Sequence, residues 1–186
     1  VALPEGIEGD LPDGVRSVTG GATRSESVFN AVNAAPAAEL YVIHDAARPL
    51  VTAELIDEVV DVLVGRPDAA GVIAATALSD TVKRVREPRR ASGEDRDAFT
   101  VAATQSREHL WAAQTPQAFR ADALREALAA DPQRLAAATD DAMLVEKAGG
   151  KVLVHPSPAE NLKVTTPFDL RVAELALQGA RGSTAH

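Results

Sequence analysis

Leu40-Tyr41-Val42-Ile43-His44-Asp45-Ala46-Ala47-Arg48-Pro49 is the stretch that decides how the rest of this chain is read. Four consecutive apolar residues are too few for a helix and match a short, fully buried strand, which stops at His44-Asp45. In open α/β sheets ligands collect at the carboxyl ends of strands. There an acid such as Asp45 can hold a metal or sugar hydroxyls, and Arg48 three residues on can reach a phosphate. The small Ala46 and Ala47 let the backbone approach a ligand closely. The same residues also suit an Asp–Arg pair that merely stabilises a turn, and from chemistry alone both readings stand.

Outward from this strand, helical and extended patterns alternate. Upstream, Thr23 and Glu26 have the spacing of a capping box, and Val28, Phe29 and Val32 share a helical face. Downstream, Thr52 caps a helix whose Leu55, Ile56, Val59, Val60 and Leu63 recur at helical spacing until Gly65 and Pro67. Ala69 to Ala75 reads as a second buried strand. Further strands are expected around Leu110-Trp111 and over Lys151 to His155, and helices over Ala121–Ala130 and Asp140–Ala148. Gly149-Gly150 supplies a C-cap. Thr166 and Pro167 open a last helix carrying Leu170, Ala173, Leu175 and Leu177, expected to end before Gly179. Such alternation predicts an α/β fold with a mostly parallel sheet flanked by helices.

Residues 80–107 break the rhythm. Thr81 to Val85 alternates like a half-exposed strand, residues 87–98 are polar and rich in turn formers, and Phe99-Thr100-Val101 resumes a strand pattern. This predicts a β-arm projecting from the domain.

Composition narrows the function classes. The chain has 186 residues, a formal net charge of −8 and no cysteine. The charge argues against nucleic acid and anionic membranes as partners. The missing cysteines remove disulfides, thiolate metal sites and a cysteine nucleophile together, and fit a cytoplasmic protein. No apolar run approaches the roughly 20 residues of a membrane span. The four histidines lack metal-ligand spacing, and no nucleophile elbow is present.

Three further stretches carry candidate chemistry. Asn161-Leu162-Lys163-Val164-Thr165 reads as a short strand with a lysine inside it, whose ammonium needs a phosphate or a carboxylate such as Asp45. Thr115-Pro116-Gln117 and Thr139-Asp140-Asp141 read as hydroxyl-bearing turns, serving as helix caps or as ligands. Gly20-Gly21 opens a helix whose backbone N–H groups can meet a base or an anion.

Taken in order, GGATRSESVFNAV, VIHDAARPLV, SDTVKRV, LWAAQTPQAF, TDDAMLVEKAGGKV and NLKVTTPFDLRVAELAL resemble the 2-C-methyl-D-erythritol 4-phosphate cytidylyltransferase family, from about Val1 to Leu177. The resemblance implies a Rossmann-like nucleotidyltransferase fold, a homodimer joined through the arm, and Mg²⁺ as cofactor. It implies transfer of CMP from CTP to methylerythritol phosphate in the nonmevalonate isoprenoid route. Carried over by motif, Gly21 and Ser27 face the cytosine with Ala46 nearby, and Asp45 and Arg48 sit at the acceptor and the metal. Thr81 and Arg107 cross the dimer interface to position the acceptor in the partner's site. Thr115 and Thr139 line the same pocket, and Lys163 orients the attacking phosphate.

Departures from the family pattern carry their own expectations. Ala22 stands where an acidic residue is usual, which weakens a base or ribose contact, and the arm tip is longer than in compact members. No stretch matches the family's opening glycine-rich loop ending in Pro-Lys, which grips the triphosphate. Residues 1–186 are therefore expected to be one domain without its first βαβ region, inactive alone although the parent is active. The competing readings are a ribitol-5-phosphate cytidylyltransferase and a catalytically inactive dimeric binding module.

Overall fold

A computed structural model of the protein describes residues 1–7, 9–86, 99–129 and 132–183. In chain order these are β1 (Ala2–Leu3), β2 (Val18–Thr19), α1 (Arg24–Asn33), β3 (Leu40–Ile43), α2 (Ala53–Val64), β4 (Gly71–Ala77) and β5 (Lys83–Arg86). They continue with β6 (Thr100–Thr104), β7 (Trp111–Arg120), α3 (Ala121–Leu128), α4 (Pro132–Ala136), α5 (Asp141–Lys147), β8 (Val152–Pro156) and α6 (Pro167–Ser183).

The central sheet has the order β3-β7-β4-β8. β4 and β8 are parallel, and β7 lies antiparallel to both β3 and β4. Three of the four strands thus run one way, as the alternating pattern predicts, with one reversed strand between them. β1 and β2 form a separate parallel pair, and β5 and β6 a separate antiparallel ladder.

Side chains alternate across the sheet and give it two cores. Ile73 and Phe119 point to the face covered by α1, α3 and α5, where Val28, Val32, Leu124, Leu128 and Val145 pack. Val72 and Ala118 point to the other face, against Leu55, Val59 and Leu63 of α2. β4 is buried on both faces, and its sequence accordingly reads as a continuous apolar run. Val42 of β3 and Val154 of β8, in the outer strands, are exposed, so β3 is less buried than its apolar sequence suggests.

The helix ends follow their caps. Thr23 Oγ1 accepts from Glu26 N at 3.2 Å while Glu26 Oε2 accepts from Thr23 N at 3.2 Å, completing the capping box. Thr52 and Asp140 cap α2 and α5. At the end of α5, Gly149 adopts φ +91°, the left-handed region that a side chain disfavours. Gly149 N then bonds Glu146 O and Gly150 N bonds Val145 O, both at 2.9 Å, which is a Schellman stop.

Three local expectations need correction. Thr115-Pro116-Gln117 is not a turn but the middle of the ten-residue β7. The β4–β7 register shifts between Ile73 and Ala75, opposite this segment. An irregular ladder is where a sheet tolerates a proline without an N–H to give. Asn161 to Thr165 is not a strand; it is an irregular segment tied to the β3 loop by Val164 N bonding Ala47 O at 2.8 Å. Finally, α6 runs through Gly179 to Ser183. Gly179 has open space around it, and a glycine inside an exposed helix costs only about 1 kcal/mol. Leu170, Leu175 and Leu177 of this helix are exposed, and Ala173 is buried.

Residues 87–98 of the expected arm tip lie outside the described residues. Among the described residues no helix is long and apolar enough to cross a membrane.

Candidate functional site

The loop after β3, the middle of β7, the start of α5 and the segment after β8 meet at one end of the sheet. Together they line a cleft of about 310 Å³. Of the residues singled out from sequence, it brings together Asp45, Arg48, Thr115, Thr139 and Lys163. Arg24, Gln114, Gln117 and Asp140 complete its polar lining.

Asp45 is the hub. Its Oδ1 lies 3.0 Å from Arg24 Nε and its Oδ2 2.9 Å from Lys163 Nζ. Its backbone N donates to Thr115 Oγ1 at 3.0 Å. Burial opposes ionisation of this carboxyl. The hydrogen bonds from Lys163 and Arg24, with their positive charge, outweigh that and hold it below the usual carboxylate range. The expected lysine–carboxylate pair is therefore present, from a lysine that is half-exposed rather than buried in a strand.

Thr115 ties the hub to His44. Thr115 Oγ1 lies 3.0 Å from His44 Nδ1, and His44 Nε2 lies 3.1 Å from Arg48 O. A carbonyl can only accept, so the neutral ring carries its proton on Nε2 and takes the threonine proton on Nδ1. This fixes the turn from His44 to Arg48. The Arg48 side chain folds inward, and its NH1 nitrogen donates to Asn161 O at 2.8 Å. Burial draws its guanidinium below the ordinary arginine value, against the pull of Asp45.

Asn161 locks the other wall. Its Nδ2 reaches Gln114 Oε1 and Thr115 O at 2.9 Å and Ser157 Oγ at 3.1 Å. Gln117 Nε2 contacts Gln114 O and Asp140 Oδ2 at 3.2 Å. Asp140 divides its work, since Oδ1 caps α5 by accepting from Met143 N at 2.9 Å.

Among the described residues, the buried side-chain polar atoms without a partner are Arg48 Nε, Gln117 Oε1, Asp141 Oδ1 and Asn161 Oδ1. Arg48 and Gln117 line the cleft, and Asp141 and Asn161 each bond a lining residue. Unpaired buried polar atoms are costly and uncommon. Their gathering at one place marks a surface prepared for a polar ligand or ordered water.

The remaining candidates lie elsewhere. Gly21 N donates to Ser27 Oγ at 3.0 Å at the start of α1, and a Cβ on Gly21 would collide with the Glu26 side chain. Ala46 lies in the turn after Asp45. Thr81 and Arg107 flank the β5–β6 ladder, are exposed, and do not line this chain's own cleft.

Sequence reading missed Arg24 and Asp141, which bond each other at 2.8 Å. One signal was available: Arg24 begins α1, where the helix dipole disfavours a cation, so its charge needed a partner elsewhere. Burial pushes the Asp141 carboxyl up more than Arg24 draws it down, and Asp140 and Asp45 add to the rise. For Arg24, burial lowers the guanidinium but Asp141, then Asp45, outweigh it and raise it.

The donor set also bears on a metal. Among the described residues no three His, Cys, Asp or Glu side chains cluster to hold one. Asp45 is the hard-oxygen donor nearest Lys163 and Arg48, with both oxygens committed to cations. Asp140 is the second carboxylate of the lining, so the cleft offers a hard cation no more than two carboxylates of the chain.

Comparison with known proteins gives a consistent result. Residues 5–179 match the family model of 2-C-methyl-D-erythritol 4-phosphate cytidylyltransferase. The enzyme of that name from Bacillus licheniformis is 39% identical over 167 residues, covering 90% of this chain and 66% of that protein. The one from Trichodesmium erythraeum is 43% identical over 164 residues, covering 88% and 67%. The crystal structure of the Thermus thermophilus enzyme superposes with a TM-score of 0.76 at 32% identity, covering 95% of this chain and 80% of that one. The chain thus spans about two thirds of the length of these curated relatives.

Proposed function

The chain belongs to the 2-C-methyl-D-erythritol 4-phosphate cytidylyltransferase family, a family of nucleotidyltransferases, and from that premise we propose that it joins CMP to methylerythritol phosphate. In the proposed reaction an oxygen of the acceptor's phosphate attacks the α-phosphorus of CTP. A new P–O bond forms, the bond to the β-phosphate oxygen breaks, and pyrophosphate leaves with the electron pair. The products are 4-diphosphocytidyl-2-C-methyl-D-erythritol and pyrophosphate. No covalent enzyme nucleophile is needed, so catalysis is positioning plus neutralisation of charge.

The observation that carries this reading is the convergence of Lys163, Arg48 and Asp45 on one cleft. Lys163, exposed at the cleft mouth, holds and orients the acceptor's phosphate. Arg48, with a free Nε beneath it, adds a second donor. Thr115 and Thr139 present hydroxyls to the same ligand. Gly21, Ser27 and the backbone at Ala46 receive the cytosine, the contact between Gly21 N and Ser27 Oγ setting the shape of this turn. Magnesium, held mainly by the triphosphate beside Asp45, neutralises phosphate charge when bound.

Thr81 and Arg107 reach the acceptor only from a partner subunit. The proposed active form is therefore a cytoplasmic homodimer in which the β5–β6 ladder crosses to the neighbour. Val85, Phe99 and Val101 on and beside this ladder are 47%, 57% and 55% exposed, and the partner would cover them.

Pyrophosphate release by the full-length protein, with CTP and Mg²⁺, tests the acceptor. Release is expected with methylerythritol phosphate and not with ribitol 5-phosphate. Release with ribitol 5-phosphate alone reassigns the acceptor, and release with neither leaves a binding module.

A further inference from the structure

From the cleft into the protein, four charged side chains form a line that phosphate binding alone does not call for. Asp141 Oδ2 bonds Arg24 NH1, Arg24 Nε bonds Asp45 Oδ1, and Asp45 Oδ2 bonds Lys163 Nζ. Side-chain exposure along the line is 0% at Asp141, 34% at Arg24, 16% at Asp45 and 45% at Lys163. One end is anchored in the protein and the other is free in the cleft. Asp141 does not line the cleft, so it cannot contact a ligand there, and its hydrogen bond reaches the site through Arg24.

The next step rests on the reading of the cleft as a phosphate site. Lys163 cannot serve a phosphate fully while it is paired with Asp45. If Lys163 were the sole cation on Asp45, its departure would strand a largely buried carboxylate, and that cost would draw the lysine back. Arg24 changes this balance because its two nitrogens span two carboxylates in a fixed fork. We propose that Asp141 and Arg24 are a positioning pair: anchored by Asp141, Arg24 keeps Asp45 compensated and in place, which frees Lys163 to turn from Asp45 to the acceptor's phosphate. The Asp141 carboxylate, which the start of α5 favours but full burial penalises, is explained by this task. The guanidinium's position at the first residue of α1, against the helix dipole, is explained by it too.

The test is binding of methylerythritol phosphate, followed by NMR shift titration, in the wild-type protein, Asp141→Asn, Asp45→Asn and the double variant. Inorganic phosphate is titrated beside it. Asp141→Asn removes a negative charge near an anion site, so charge alone predicts tighter binding. The positioning pair predicts the opposite, a loss of about tenfold. With Asp45 already Asn there is no carboxylate to recapture Lys163, and adding Asp141→Asn should then change affinity less than about twofold. Arg24→Lys keeps the charge but cannot span both carboxylates, and it should weaken binding in the same direction. Circular dichroism melting confirms that each variant is folded.

Tighter binding in Asp141→Asn, or an equal loss in the Asp45→Asn background, overturns the inference. If inorganic phosphate gives the expected pattern while methylerythritol phosphate does not bind, the positioning pair stands and the acceptor assignment falls. If the wild-type protein binds neither anion, both fall.

Discussion

The cleft after β3 and the β5–β6 ladder handle their side chains in opposite ways. In the cleft, Asp45 spends both oxygens and its backbone N–H on partners within the chain. Asn161 is 1% exposed and reaches three acceptors. In the ladder, the side-chain bond is a surface contact between Lys83 Nζ and Thr104 Oγ1 at 2.7 Å, and the apolar residues face outward. The first region is organised by its own subunit before any ligand arrives. The second is held by backbone pairing and leaves its apolar surface for something else to cover. A site assembled from both would have a rigid half and a half supplied by association.

Breaking the rigid half should be expensive. Asn161→Ala leaves Gln114 Oε1 and Thr115 O buried without their donor, and about 3 kcal/mol of stability should be lost. Urea unfolding measures it; a loss below about 1 kcal/mol would mean the wall is not organised by this residue.

Breaking the other half should leave the subunit almost untouched. Val85 and Val101 are paired in register on the ladder and are both about half-exposed. Val85→Ser with Val101→Ser should move stability by about 0.5 kcal/mol or less. In the proposed dimer the same change removes apolar area from the interface, so self-association should weaken at least about tenfold. Sedimentation equilibrium separates these outcomes. Unchanged association would show that the ladder does not join subunits.

How much of this was legible in the sequence follows from the range of each interaction. The caps at Thr23, Thr52 and Asp140 and the stop at Gly149-Gly150 are local, and their residue types announce them. The strands β3 and β4 were visible as apolar runs with turn signals on either side. β7 was visible only at its start, around Leu110-Trp111, because Pro116 reads as a breaker until the irregular ladder that accommodates it is seen. Lys163 was identified with its carboxylate partner, yet its segment was misread as a strand, since NLKVT has the composition of one. Arg24 and Asp141 were passed over for a different reason. They are 117 residues apart, and no local pattern joins a cation at one helix start to an acid at another.

In the proposed reaction Lys163, poised on Asp45 at the cleft mouth, orients a phosphate for transfer. The most direct measurement is the rate of pyrophosphate release from CTP with methylerythritol phosphate and Mg²⁺ in the full-length protein, wild-type against Lys163→Ala. Removing one preorganised charge donor from such a site lowers turnover by roughly 10²–10³-fold. That drop, with the variant's melting temperature unchanged, is the predicted result. A Lys163→Ala protein that releases pyrophosphate within about threefold of the wild-type rate would contradict the account.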